Sequence, residues 1–148
     1  MDTLIAAYHQ FLVELLAVEP SPFDDGLRNK LPTTGGIYRI FKRGWGWQDT
    51  IYVGAARHLR KQIYVYDYAG SCSESTLKRR LIGDALFSDE KAVQMFLEAK
   101  CYVQFKEVLD DDERDCLKQF STAVLKPHSR DRRMIAKLAS EEKQSTNP

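Results

Sequence analysis

Basic side chains recur in three groups, Arg57-His58 with Arg60-Lys61, then Lys78-Arg79-Arg80, then Lys118, Lys126, His128, Arg130, Arg132 and Arg133. Such cations suit a polyanion, because each phosphate they neutralise releases counterions and strengthens binding. Bulk charge adds nothing to this, since the formal net charge is only +1 and recognition must rest on local patches. Trp45 and Trp47 offer flat faces for stacking on exposed bases. Other chemistries find less support. His9, His58 and His128 lack the close pairings of a zinc site, and no Ser-His-Asp or Cys-His order for nucleophilic catalysis can be assembled. Asp110-Asp111-Asp112-Glu113 lacks the glycine and spacing of a calcium loop, and a turn with a helix cap explains it more simply. Cys72, Cys101 and Cys116 are an odd number without CxxC spacing, which predicts reduced thiols in a cytoplasmic protein rather than a disulfide framework.

These groups need a scaffold. A hydrophobic fraction of 43% over 148 residues is enough for one core, so one compact unit is expected. Leu4, Ile5, Tyr8, Phe11, Leu12, Leu15 and Leu16 recur at three- and four-residue steps, predicting an amphipathic helix from Asp2 to Val18 that braces the core or supplies a dimer face. Pro20-Ser21-Pro22, Asp24-Asp25-Gly26 and Pro32-Thr33-Thr34-Gly35-Gly36 predict a surface connector. Ile37 to Phe41 and Thr50 to Val53 read as an antiparallel hairpin around a glycine-punctuated loop. Downstream, the pattern predicts a helix from Ala55 to Ile63, a loop from Tyr64 to Ser75, and a helix capped by Ser75 or Thr76 running to Ala85. A helix from Asp89 to Ala99, a strand from Cys101 to Val108, a helix capped by Asp111 or Asp112 and running to Leu125, and a last helix from Arg130 to Glu142 complete the expectation. No apolar run approaches the ~20 residues of a membrane span and the start lacks a basic n-region, so a soluble chain with no membrane partner is expected.

Gly36-Ile37-Tyr38 and Tyr52-Val53-Gly54, followed by Leu77-Lys78-Arg79-Arg80-Leu81 and Leu125-Lys126-Pro127, resemble the motifs of the GIY-YIG nuclease domain. The resemblance runs from Pro32 to about Asp131. It implies an α/β fold with a small three-stranded, mainly antiparallel sheet flanked by helices, here with an extra N-terminal helix. The chain then divides into 1–31, the helix and connector, 32–131, the GIY-YIG-like domain, and 132–148, a C-terminal helix and tail. It also implies hydrolysis of DNA phosphodiesters assisted by Mg2+ or Mn2+, with Tyr52 as base or base-orienting group, Tyr38 as its hydrogen-bonded neighbour and an arginine on the phosphate. A tyrosine, with an ordinary pKa of about 10, acts as a base only where nearby cations depress that value. In many relatives the arginine lies ten residues after the second tyrosine, which here is Gln62. The restriction-enzyme-like branch carries an insertion at that point, so the resemblance assigns Arg80, with Arg79 as the adjacent alternative and Tyr64 to Ser75 as the inserted loop.

The resemblance breaks at the metal. The family's glutamate, nine residues before the proline, falls on Lys118, and its terminal asparagine, three residues after, falls on Arg130. A lysine offers no oxygen ligand and repels a divalent cation. Glu113 is the nearest acid upstream, but at ~100° per residue it sits about 140° from the required helix face. The expectation is therefore a domain that recognises DNA phosphates, with hydrolysis weakened or lost. Arg57, Arg60, Lys61, Lys78, Arg79, Lys118 and Arg130 would line a groove beside Tyr38 and Tyr52. RNA in place of DNA, an active metal-dependent endonuclease, and a protein-interaction or regulatory domain that dimerises through the N-terminal helix are the alternatives left open.

Overall fold

Side chains that alternate between two faces organise the centre of the chain. In a computed structural model, which describes residues 3–42, 49–83 and 87–128, the elements in order are α1 (Thr3–Ala17), β1 (Ser21–Pro22), α2 (Leu27–Lys30), β2 (Gly36–Lys42), β3 (Thr50–Ala56), a π-helix (Lys61–Tyr68), α3 (Thr76–Ile82), α4 (Glu90–Lys100), β4 (Cys101–Glu107) and α5 (Asp111–Leu125). The strands form an antiparallel sheet of order β1-β4-β2-β3. From β2, Tyr38 and Ile40 join Tyr52 and Val103 on one face, whereas Ile37 joins Val53 on the other. Period-two alternation gives each strand these two apolar faces, and both must be covered. The π-helix, α3 and α4 cover the first face through Ile63, Leu77, Leu81, Val93, Phe96 and Leu97. Phe11, Leu12 and Leu15 of α1, with Leu117 and Leu125 of α5, cover the second.

The α/β architecture matches the expectation, and α1 braces the core as predicted. Its seat is specific. Buried Gln104 accepts from the Arg39 guanidinium at 2.6 Å and donates to the carbonyls of Leu16 and Val18 at 2.9 and 2.8 Å, satisfying acceptors that a helix end leaves open. Capping also follows the sequence. Ser75, Asp89 and Asp110 each accept a backbone N–H of the first helical turn, from Lys78, Ala92 and Glu113, and such a cap contributes about 1 kcal/mol. The α5 cap is Asp110, one residue before the expected pair. At its other end Lys126 takes a left-handed conformation, φ 48°, and Pro127 prevents continuation.

Four expectations are corrected. The sheet has four strands, because Ser21 and Pro22 pair with Val103 and Tyr102, and the segment expected as a surface connector carries Phe23, Leu27 and Leu31 into the core at 2%, 0% and 1% exposure. Its Pro and Gly residues masked a four-residue apolar spacing. The helix expected over 55–63 and the loop expected over 64–75 are also replaced. β3 continues to Ala56, and the π-helix takes the last three residues of the expected helix and the first five of the expected loop. Its wider turn, seen in the bond from Ala69 N–H to the Tyr64 carbonyl at 3.1 Å, puts Leu59, Ile63 and Tyr68 inward at steps of four and five residues, a spacing that a 3.6-residue search does not detect. Trp45, Trp47 and the expected helix over 130–142 lie outside the described residues. No helix among the described residues is long and apolar enough to cross a membrane.

The burial of the connector is testable by urea denaturation. Phe23→Ala should cost about 3–5 kcal/mol, the usual loss for a core phenylalanine. A loss below about 1 kcal/mol would show that the segment is peripheral.

Candidate functional site

The two tyrosines of the hairpin meet because of two glycines. Tyr38 on β2 lies directly opposite Gly54 on β3, and its ring crosses the space where a side chain would stand: a Cβ on Gly54 would overlap Cζ of Tyr38 and come within 2.6 Å of its hydroxyl. At Gly36 a Cβ would overlap the Lys106 carbonyl of β4. Neither residue tolerates a side chain without moving the sheet or the phenol. With that space open, the Tyr38 and Tyr52 rings sit 5.8 Å apart, tilted by 46°.

Behind them lies a carboxylate. The Tyr38 hydroxyl donates to Oδ2 of Asp67, while Oδ1 accepts from Ser75 Oγ at 2.7 Å and Gln62 Nε2 at 3.0 Å. Asp67 is 0% exposed, and burial pushes its carboxyl up to about 6, against the bonds from Tyr38, Ser75 and Gln62 and the charge of Lys78. The π-helix sets this cluster, since it brings Gln62 and Asp67, five residues apart, onto one side. Burial, and then the Asp67 charge, raise Tyr38 well above the ordinary tyrosine value. Tyr52 is raised by the same two causes, opposed by Arg80 and by the neighbouring Tyr38 and Thr76 hydroxyls. Both phenols are therefore neutral at pH 7. A tyrosine base requires a depressed value, whereas the surroundings of Tyr52 act in the other direction.

The structure separates the three cations of Lys78-Arg79-Arg80. Lys78, expected in a phosphate-facing groove, is 1% exposed and donates its amine to the Tyr68 and Gly70 carbonyls. Burial lowers its pKa, while the charges of Asp67, Glu90 and Glu74 draw it back up. The Arg79 guanidinium is turned the other way, onto the carbonyls of Cys72 and Ser73 at 2.9 and 3.1 Å and onto Thr76 Oγ1 at 3.0 Å. These two side chains fasten the loop between the π-helix and α3. Arg80 alone of the three turns to the phenols, its Cζ 5.8 Å from the Tyr52 ring centre, with part of its surface open. Tyr38, Tyr52 and Arg80 are thus brought together.

The remaining expected contacts are dispersed. Exposed Arg57 pairs with Asp111 at 3.5 Å, Arg60 donates to the Leu31 carbonyl at 3.0 Å, and the Lys61 amine stands 5.7 Å from the Tyr66 ring centre. Lys118 and Glu113 belong to α5, which packs on the opposite face of the sheet from the tyrosines. Lys118 instead borders a groove of about 560 Å³ with Gln119, Thr122 and Lys126. One continuous groove joining all these cations to the tyrosine pair is therefore not formed, and Arg130 lies outside the described residues.

The donors beside the phenols do not fit Mg2+ or Mn2+. Such ions take several oxygen ligands, whereas both Asp67 oxygens are occupied by hydrogen-bond donors, and no group of three His, Cys, Asp or Glu side chains converges among the described residues. No protein-family model, curated protein or solved structure matches the chain. Sequence reading missed Asp67, although a signal was present: it is the lone acid between Asp49 and Glu74, set among Tyr64, Tyr66 and Tyr68.

Two measurements probe this cluster. Gly54→Ala should destabilise the fold by about 1–3 kcal/mol, as overpacking does, and should shift the Tyr38 ring resonances in NMR spectra. Unchanged Tyr38 resonances would contradict the close approach. For Asp67, the folded-state value of about 6 stands above its ordinary 3.8, so the folded chain holds the proton more tightly. This contribution to stability is full below pH ~4, is lost as pH rises through ~6 and is level above, a change of roughly 3 kcal/mol. Asp67→Asn should remove that slope from the stability-against-pH curve, and parallel curves for the two proteins would contradict it.

Proposed function

We propose that this chain is a nucleic-acid-binding domain of GIY-YIG type that recognises a DNA phosphate at Arg80 and Tyr52, with phosphodiester hydrolysis weakened or lost. The observation that carries the reading is that Arg80, alone among three consecutive cations, is left beside the hydroxyl-bearing tyrosine pair. A guanidinium offers forked N–H donors suited to phosphate oxygens and stays charged at all working pH. Loss of hydrolysis follows from the chemistry present there: two neutral phenols are poor bases, and Asp67 is spent on internal bonds. The scattered positions of Arg57, Arg60, Lys61 and Lys118 suggest few phosphate contacts, and hence modest affinity with a shallow salt dependence.

A second reading, a protein-interaction domain, is favoured by α1, where Leu4 and Ile5 are 57% and 55% exposed beyond the part of the helix that reaches the core. Exposed apolar residues grouped on one element mark interaction surfaces more often than isolated ones do.

Fluorescence anisotropy with a labelled DNA oligonucleotide across a salt series separates the two. Arg80→Ala should weaken binding about tenfold or more, the loss of a charge-assisted hydrogen bond, whereas Arg79→Ala should act mainly on stability. Neither Mg2+ nor Mn2+ should bring about cleavage. Binding insensitive to salt and to Arg80→Ala would favour the protein partner, and metal-dependent cleavage abolished by Tyr52→Phe would restore the active nuclease.

A further inference from the structure

Met95 and Leu109 are exposed apolar side chains set among charges: Met95 on α4 lies between exposed Lys91 and Glu98, and Leu109 precedes Asp110, Asp111 and Asp112. α1 differs. Its inward side chains Phe11, Leu12 and Leu15 are buried. On its outer side Ile5, His9, Val13 and Ala17 follow one another at four-residue steps, all exposed, with exposed Ala6 beside them. Ile5 and Val13 are 55% and 45% exposed. The outer side of α5 is built the other way, with Asp112, Asp115 and Gln119 turned to solvent. A helix that is apolar on both sides is one that buries both, and among the described residues nothing covers the second side of α1.

Charge decides what can cover it. Between Thr3 and Ala17 the sole carboxylate is Glu14, and there is no lysine or arginine. Glu14 is already engaged: its Oε2 pairs with Lys106 Nζ at 3.1 Å, and its Oε1 accepts from Gln10 Nε2 at 3.3 Å. A lipid surface or a nucleic acid holds a helix through Lys and Arg on its polar side, and α1 has none. A charged peptide finds no complement on this face either. A second copy of the same face does, because neutral meets neutral and no like charges oppose each other. A twofold contact places the same row on both sides, and ridges at four-residue steps pack into the matching grooves of another helix. The small side chains of Ala6 and Ala17 let the two backbones come close.

We propose that the outer row of α1, Ile5, His9, Val13 and Ala17, is the contact between two copies of this chain, which cross there as a helix pair about a twofold axis. The proposal names the partner for the protein-interaction reading of α1 and rests on that reading; it is independent of phosphate recognition. α1 covers one face of the sheet, whereas Tyr52 and α3, the helix that carries Arg80, stand on the other. Pairing through α1 therefore leaves Arg80 open in both copies. A single helix pair is a small contact, so the dimer forms with a dissociation constant of about 10–100 µM rather than in the nanomolar range.

The test is sedimentation velocity of the full chain from ~5 to ~500 µM, a range that brackets such a constant. Wild type should pass from monomer to dimer across it. Val13→Glu and Ile5→Glu, each verified as folded by circular dichroism, should weaken pairing about tenfold or more, because each sets like charges against each other across the twofold. Met95→Glu and Arg80→Ala should dimerise as wild type does. Over the same dilution series the NMR resonances of Ile5, His9, Val13 and Ala17 should shift. A wild-type chain that stays monomeric at the highest concentration overturns self-pairing alone and leaves the face to a different protein. Dimers that persist in both Val13→Glu and Ile5→Glu, with dilution shifts on other elements, overturn self-pairing and the interaction reading of α1 together.

Discussion

A phenol donating to a fully buried carboxylate, Tyr38 to Asp67, is the constraint from which the rest of this site follows. For the Tyr38 ring to reach that carboxylate it must lie across β3, so position 54 can carry no side chain. For the carboxylate to stand beneath the ring, the segment after β3 must make a wider turn than an α-helix, and it forms a π-helix. The remaining carboxylate oxygen is met by Ser75, whose hydroxyl also caps α3. One residue therefore links strand, π-helix and the helix that presents Arg80.

The balance of energies around Asp67 explains why this interaction is sensitive as well as central. Hydrogen bonds to a charged group contribute about 1.5–3 kcal/mol each, and three of them, with Lys78 nearby, favour the ionised form. Burial opposes them and wins, since the carboxyl is pushed up rather than down. The result is a group that changes charge nearer neutrality than an exposed aspartate does. The same burial keeps Tyr38 and Tyr52 protonated, which makes them hydrogen-bonding groups and not bases.

Legibility in the sequence followed the length of the physical signal. β2, β3 and β4 were readable from β-branched and aromatic alternation, α5 from the acidic turn at its start, and α1 from seven apolar residues at helical spacing. The π-helix was not readable, because its inward residues fall at steps of four and five and its tyrosines resemble a strand or loop. The connector was misjudged for a related reason: local breakers hid three core side chains whose burial depends on distant elements. At the site, the joining of Tyr38, Tyr52 and Arg80 was anticipated from the resemblance to the GIY-YIG motifs. The roles of Lys78 and Arg79 were not, since a run of three cations on a short helix does not reveal which carbonyls lie beside each.

Those separate fates of Lys78, Arg79 and Arg80 turn a basic run into a single oriented donor. The loop between the π-helix and α3 takes two cations for its own closure, and the third remains next to Tyr52. A phosphate ligand would therefore meet one guanidinium beside a tyrosine pair rather than a broad positive surface. The most direct measurement of that claim is an NMR titration of the 15N- and 13C-labelled chain with a short DNA oligonucleotide. The account predicts the largest shifts at the Arg80 Nε–H, the Tyr52 ring and Thr76, with α5 unperturbed. Shifts concentrated on Lys118 and Lys126, or no shifts at Arg80 at saturating oligonucleotide, would contradict it.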